Sequence, residues 1–339
     1  MRKVKVEDAI GMVLAHDLTK IVPGEFKGAA FKKGHIIGEE DILELKKMGK
    51  NHINILELRE DDLHEDEAAL RIAKAVTGGG FILEGPSEGK VNIKSSGRGL
   101  LKINVELLER IHEIDLIMLA TLHSNTVIEE DKVVAGTRII PLTIKKEAIE
   151  KVEAICKEVG KIITIKELKS LKIGILVTGS EVYEGTIVDR FGPVLKKKVE
   201  QYGGELLETK YAPDDVVKIE GAINELIDKG AEVILTSGGM SVDADDVTPS
   251  AIRNVADKVI TYGSPVLPGA MFMLAYKGKA TILGIPACGM YHRITVFDLV
   301  FPRVLAGEIL TRKDISSLAH GGLCQNCKVC HYPICSLGR

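Results

Sequence analysis

The stretch Glu232-Val233-Ile234-Leu235-Thr236-Ser237-Gly238-Gly239-Met240-Ser241-Val242-Asp243-Ala244-Asp245-Asp246-Val247-Thr248-Pro249 decides the reading of the fold. Val233, Ile234 and Leu235 are continuously apolar, the pattern of a strand covered on both faces of a parallel sheet. Gly238 and Gly239 then permit close approach of a ligand to the backbone, because no Cβ intervenes. Asp243, Asp245 and Asp246 follow, and Thr248 with Pro249 predicts a helix start. In an open α/β sheet, ligands bind in the crevice outside the carboxyl ends of the strands. A lone Asp here would read as an N-cap or a solvated loop charge. Three beside a double glycine point to a site.

Outward from this stretch, residues 171–307 alternate strand and helix, which predicts an α/β fold with a three-layer, mostly parallel sheet. Lys172–Val177 reads as the first strand, turning at Thr178-Gly179-Ser180-Glu181. A helix over Val194–Tyr202 is stopped by Gly203-Gly204. Leu206–Tyr211 is a second strand, and Pro213-Asp214-Asp215 opens a helix whose apolar face is Val216, Ile219, Ile223, Leu226 and Ile227. After the acidic loop come Gly263–Gly269, a strand over Ala280–Leu283, and Gly284-Ile285-Pro286-Ala287-Cys288-Gly289, read as opening one long apolar helix through Leu305. Three strand ends thus carry polar, glycine-containing loops.

Acidic loops bearing Glu181, Asp189, Asp214 and Asp215 around one crevice would repel a phosphorylated ligand without a hard cation. Mg²⁺ answers this, because one or two carboxylates and substrate phosphate oxygens suffice to hold it. Backbone N–H groups at helix starts serve the same phosphate. Cys288, read as lying at a helix N-terminus, is either a thiolate with a lowered pKa or a small buried hydrophobe.

A chain of 339 residues predicts two or three domains. Residues 1–58 read as a small β-rich region with a Pro23-Gly24 turn, a short helix near Glu39–Met48 and a closing strand through Ile53, Ile55 and Leu56. Its histidines His16, His35 and His52 lack ligand-like spacing. Residues 59–170 read as an α+β domain. Its acidic start, Glu60 to Glu67, is a solvated helix N-terminus running into Ala68–Val76, and alternation on both sides of a glycine-rich turn within 84–103 argues a hairpin. Helical periodicity returns at Glu106–Ile111 and Lys145–Val159, and Leu116–Leu122 is a buried apolar run. The formal charge of −3, the absence of tryptophan and an aromatic content of 4% argue against nucleic acid. No apolar run approaches the roughly 18–20 residues of a membrane span, and the start lacks a signal-peptide core, so a cytoplasmic protein without membrane contact is expected.

Residues 308–339 hold four of the six cysteines, Cys324, Cys327, Cys330 and Cys335. Thiolates this closely spaced predict a metal-binding tail, for Zn²⁺ or an iron–sulfur cluster, with His320 and His331 as substitutes for one ligand. The bland alternative is four free thiols.

Thr178-Gly179-Ser180-Glu181, Gly185 with Asp189, Pro213-Asp214, Thr236 to Ser241, Asp246-Val247-Thr248-Pro249 and Gly284-Ile285-Pro286 resemble, in order and spacing, the molybdopterin-binding domain. That domain is shared by molybdopterin adenylyltransferases, molybdopterin molybdenumtransferases and competence-damage-inducible nucleotide hydrolases. The resemblance implies molybdopterin or its adenylylated form as ligand, with Mg²⁺ chemistry at the phosphate, in molybdenum cofactor biosynthesis or maturation. It makes Asp246 and Asp214 the functional carboxylates. Thr178, Gly179, Ser180, Glu181, Asp189, Ser237, Gly238, Gly239, Ser241, Asp243, Asp245 and Pro286 become the ligand-binding set. It also implies a homo-oligomer, with a molybdoenzyme or another cofactor-biosynthesis protein as a further partner. The chain departs from the molybdenumtransferases where their Lys-Pro-Gly-Lys stretch is replaced by Val266-Leu267-Pro268-Gly269-Ala270, and where a cysteine tail stands instead of a β-barrel. Both lysines are missing, so His292 and Arg293 become candidates for the positive charge. A cofactor carrier or sensor and a nucleotide pyrophosphatase stand as alternatives to a transferase.

Overall fold

The computed structural model describes residues 2–22, 26–55, 59–140 and 142–338, so the Pro23-Gly24 turn and Leu56 lie outside the described residues. The chain forms two compact units, Met1–His123 with Ile128–Ile165, and Ser124–Val127 with Lys166–Arg339. Among the described residues no helix is long and apolar enough to cross a membrane.

In the first unit, strand Arg2–Lys5 pairs antiparallel with the closing strand His52–Ile55, and helix Asp41–Lys47 packs over a small core of Val6, Leu14, Ile37, Leu45 and Ile53. Further along, four antiparallel strands order as Phe81–Ser87, Lys90–Ser95, Val133–Ile139 and Ile117–Thr121. Helix Glu65–Val76 buries Ala68, Ala69, Ile72, Ala73 and Val76, a stripe at helical spacing. Two expectations need correction here. Glu65 is buried, not solvated, with Arg138 Nη2 at 3.5 Å, and burial pushes its carboxyl above the usual range. The hairpin turns at Glu88-Gly89, where both residues take positive φ, while Gly99–Ile103 beyond Ser95–Arg98 joins a different sheet.

The second unit is built on six strands: β1 (Lys172–Thr178), β2 (Glu205–Ala212), β3 (Val233–Ser237), β4 (Lys258–Tyr262), β5 (Met273–Lys277) and β6 (Ala280–Ile285). Their order is β2-β1-β3-β6-β5-β4. The β1–β2, β1–β3 and β3–β6 pairs are parallel, and β5 runs antiparallel to both β6 and β4. Helices α1 (Phe191–Tyr202) and α4 (Val296–Leu305) share one core with Val233 and Leu235. On the opposite face, α2 (Val216–Asp228) and α3 (Thr248–Val255) share a second core with Ile234. Successive β3 side chains therefore feed both cores, as the continuous apolar run requires in a three-layer α/β fold.

Local chemistry sets the helix bounds. The Asp189 carboxylate accepts from the N–H groups of Phe191 (2.8 Å) and Gly192 (2.9 Å), so α1 starts three residues before the expected Val194. Gly203, at φ +88°, ends it. The long helix expected from Gly284 is broken: Ala287–Met290 is a single 3-10 turn, and α4 starts at Val296 under a Thr295/Asp298 capping box. Sequence reasoning passed over β4 and β5.

Chain order sets the direction of winding. β1 leads through α1 to β2 on one side, and β2 returns through α2 past β1 to β3 on the other. The direction of winding reverses between β1 and β3, the position where open α/β sheets bind ligands.

Candidate functional site

A cavity of ≈ 500 Å³ opens at the carboxyl ends of β3 and β6. It is lined by Gly238, Gly239, Ser241, Asp243 and Asp246 from the first loop, Leu267 to Met271 from the second, and Pro286, Ala287 and Cys288 from the third. The loops after β3, β4 and β6 thus meet at the cavity, and the Thr178–Glu181 loop after β1 is not among its lining.

The two glycines are demanded by contact as well as by dihedral angle. At Gly238, φ +92°, a Cβ would stand 2.0 Å from the Thr178 carbonyl oxygen. At Gly239, φ +51°, it would stand 2.8 Å from Thr248 Oγ1. Behind them, Thr178 Oγ1 lies 3.1 Å from the Ser237 carbonyl oxygen and 2.9 Å from Thr248 Oγ1, tying β1, β3 and the start of α3 together. The Ser237 hydroxyl is fully buried beside this junction and has no hydrogen-bond partner among the described residues.

The two carboxylates singled out as functional each brace a loop. Asp214 Oδ2 accepts from the Ser180 N–H at 2.8 Å, and the Asp214 N–H donates to Ser180 Oγ at 3.2 Å. Asp246 Oδ2 accepts from the Asp243 N–H at 3.0 Å, and the Asp246 N–H donates to the Asp243 carbonyl at 3.0 Å. Asp246 and Asp243 line the cavity; Asp214 stands behind Gly239, with Oδ1 3.6 Å from where a Cβ there would be. Thr178, Gly179, Ser180, Glu181, Asp189, Ser237 and Asp245 do not line it. Asp189 caps α1 and takes the Tyr211 hydroxyl at 3.2 Å.

Tyr262 was missed by sequence reasoning. Its hydroxyl lies 2.9 Å from the Met240 carbonyl and 3.0 Å from the Ser241 carbonyl, holding the loop from β4. Burial pushes its phenol above the usual range, which keeps the donor proton in place. Met240, buried, packs its thioether where a Cβ at Gly284 would fall. Nothing in a one-residue reading of Tyr262 marks it, because its role depends on the register of β4 with β5.

Among the described residues, no Lys, Arg or His lines the cavity. His292 and Arg293 do not supply the positive charge there; they line a different cavity. Cys288 does line the crevice, but burial pushes its thiol above the usual range, contrary to a thiolate reading. The donor set suits a hard cation. Asp243 and Asp246 offer carboxylate oxygens, the ligand type a Mg²⁺ ion would take beside phosphate oxygens and water. Among the described residues no three His, Cys, Asp or Glu side chains stand ready to hold a metal by themselves.

A family described as "Probable molybdopterin binding domain" matches residues 174–306. This segment is therefore similar to the molybdopterin-binding domain family. A second family, described as a domain of unknown function, matches residues 3–57. A molybdopterin adenylyltransferase of Pyrococcus furiosus is 30% identical over 95 residues, covering 28% of this chain and 56% of that protein. A CinA-like protein of Mycolicibacterium gilvum is 37% identical over 83 residues, covering 24% of this chain and 20% of that protein. The chain therefore spans about half and a fifth of these relatives' lengths. Among solved structures, the molybdopterin biosynthesis enzyme MoaB from Thermus thermophilus matches with a TM-score of 0.36 at 20% identity, covering 41% of this chain and 98% of that one.

The cysteine tail forms the second cavity, of ≈ 610 Å³. Cys324, Cys327, Cys330 and Cys335 all line it, with His331 and the residues His292 and Arg293 that follow the Ala287–Met290 turn. His320 does not.

Proposed function

We propose that the molybdopterin-binding domain holds molybdopterin or its adenylylated form in the crevice beyond β3 and β6, acting in the cytoplasm in cofactor biosynthesis or maturation. The observation that carries this reading is the bare Gly238-Gly239 backbone opening into a cavity flanked by Asp243 and Asp246. Such a turn brings main chain without side chains of its own to the cavity wall, where a phosphate could lie against it. With Asp243 and Asp246 as ligands, Mg²⁺ would neutralise the phosphate and polarise it toward transfer. Asp246 keeps the loop folded through the Asp243 N–H while presenting negative charge to the cation. Asp214 fixes the neighbouring Ser180 turn. This reading needs no metal at the cysteine tail.

The test is titration of the purified protein with molybdopterin and with its adenylylated form in the presence of Mg²⁺, following affinity and AMP release. Tight binding with AMP release supports a transferase; failure to bind either form overturns the reading.

A second reading, a cofactor carrier that hands its ligand to a molybdoenzyme, draws on one observation: among the described residues no basic side chain lines the cavity to draw in an oxyanion co-substrate. Tight binding of the finished cofactor without AMP release would favour it. A nucleotide pyrophosphatase is a further outcome of the same titration, recognised by Mg²⁺-dependent hydrolysis of dinucleotides without pterin binding.

A further inference from the structure

We propose that the loop Cys324–Cys335 is a thiolate site for one zinc-like divalent cation, in a cavity other than the crevice beyond β3 and β6. Four free thiols share one cavity, and three of them, Cys324, Cys330 and Cys335, pack partly buried against the core of the second unit. The loop is tied at both ends. The Cys324 N–H donates to the Leu267 carbonyl at 2.8 Å, the Leu267 N–H donates to the Gly322 carbonyl at 2.8 Å, and the Gly338 N–H donates to the Gly321 carbonyl at 2.9 Å. Leu337, buried, anchors the far end in the core. Between these anchors the chain has no helix or strand, so drawing the sulfurs together sacrifices no regular structure.

The charge balance favours the ion. Four thiolates around a divalent cation leave a net charge of about −2, and Arg293 and Lys328 line the same cavity to offset it. A cavity filled only to complete an apolar core would not place a guanidinium, an ammonium and two imidazoles among its thiols. Among the described residues no three of these side chains stand at ligand geometry. Thiolate ligands bind a metal in deprotonated form, so the ion itself would close the site and release protons.

The test uses the full chain, reduced and anaerobic, titrated with Co²⁺ as a spectroscopic stand-in and then with Zn²⁺. Expected are sulfur-to-cobalt charge-transfer and tetrahedral d–d bands saturating at about one ion per chain, displacement by Zn²⁺, and proton release. Cys327, the exposed member, is the first variant, because Cys327→Ser leaves the core untouched. It should weaken Co²⁺ binding at least 10-fold. Absence of the charge-transfer band in the unmodified protein overturns the proposal, as does unchanged affinity in both Cys327→Ser and Cys330→Ser. Uptake of several irons with sulfide in place of one Zn²⁺ would overturn it in favour of a cluster. These readouts do not involve the pterin, so failure here leaves the crevice reading intact.

Discussion

At Gly238 a single methyl group meets the Thr178 carbonyl oxygen at 2.0 Å with φ already at +92°, so neither rotation nor a side-chain shift relieves it. Gly238→Ala is expected to cost about 2–4 kcal/mol and to abolish ligand binding, read by urea unfolding and by titration. Gly221 on α2 is its opposite, with nothing within 4 Å of an added Cβ. There, Gly221→Ala should stabilise the domain by about 0.4–1 kcal/mol. Asp246→Asn keeps an oxygen for the Asp243 N–H and removes the charge. If the crevice reading is right, it should retain ligand and lose Mg²⁺-dependent turnover at least 100-fold; equal activity would refute the role given to Asp246. The Asp314 carboxyl tests charge away from the crevice. Burial opposes its ionisation, but the Thr311 hydroxyl and the Arg303 guanidinium override this and hold it at about 2, below the ordinary 3.8. A depressed carboxylate pKa contributes stability above the unfolded value, and this is lost as pH falls from near 3.8 toward 2. Asp314→Asn should therefore cost about 1–2 kcal/mol near neutrality, discounted for partial exposure, with the gap closing in acid unfolding curves.

The register of α4 against α1 rests on one buried group. Asp298, 1% exposed, accepts from Lys198 Nζ at 2.5 Å, from the Tyr202 hydroxyl at 3.1 Å and from the Thr295 N–H at 2.8 Å. Lys198→Met leaves that carboxylate without its cation and should cost about 3–5 kcal/mol, seen as a lowered Tm. β1, β2, β3 and α2 were legible in the sequence because continuous apolar runs and helical spacing coincide there with glycine or Asp boundaries. The start of α4 was not, because the apolar residues around Ile294 to Leu305 hide the Thr295/Asp298 cap that separates the helix from the preceding turn. β4 and β5 escaped for a different reason: their pairing is fixed by β6, a partner that local pattern does not reveal. Within the crevice, the Gly238-Gly239 turn and Asp246 were legible from chemistry on one loop. Tyr262 and the Leu267–Met271 wall depend on tertiary register.

For the molecule as a whole, two compact units with separate cores predict two unfolding steps. A ligand of the crevice, present at 100 times its Kd, should raise the step of the second unit by about 2.7 kcal/mol and leave the other unmoved, as differential scanning calorimetry would show. The short segment Ser124–Val127 belongs to the second unit, where Val127 packs on its core. Residues 166–339 expressed alone should therefore fold less stably than in the full chain, by chemical denaturation. The tie between the tail and the crevice wall has a further consequence. Leu267 meets Gly322 and Cys324 through main-chain groups on both sides. Any side chain other than proline at 267 or 324 preserves those bonds, so this junction can outlast the sequence drift that erases recognisable motifs, and descendants of the chain can keep the architecture while losing its signature.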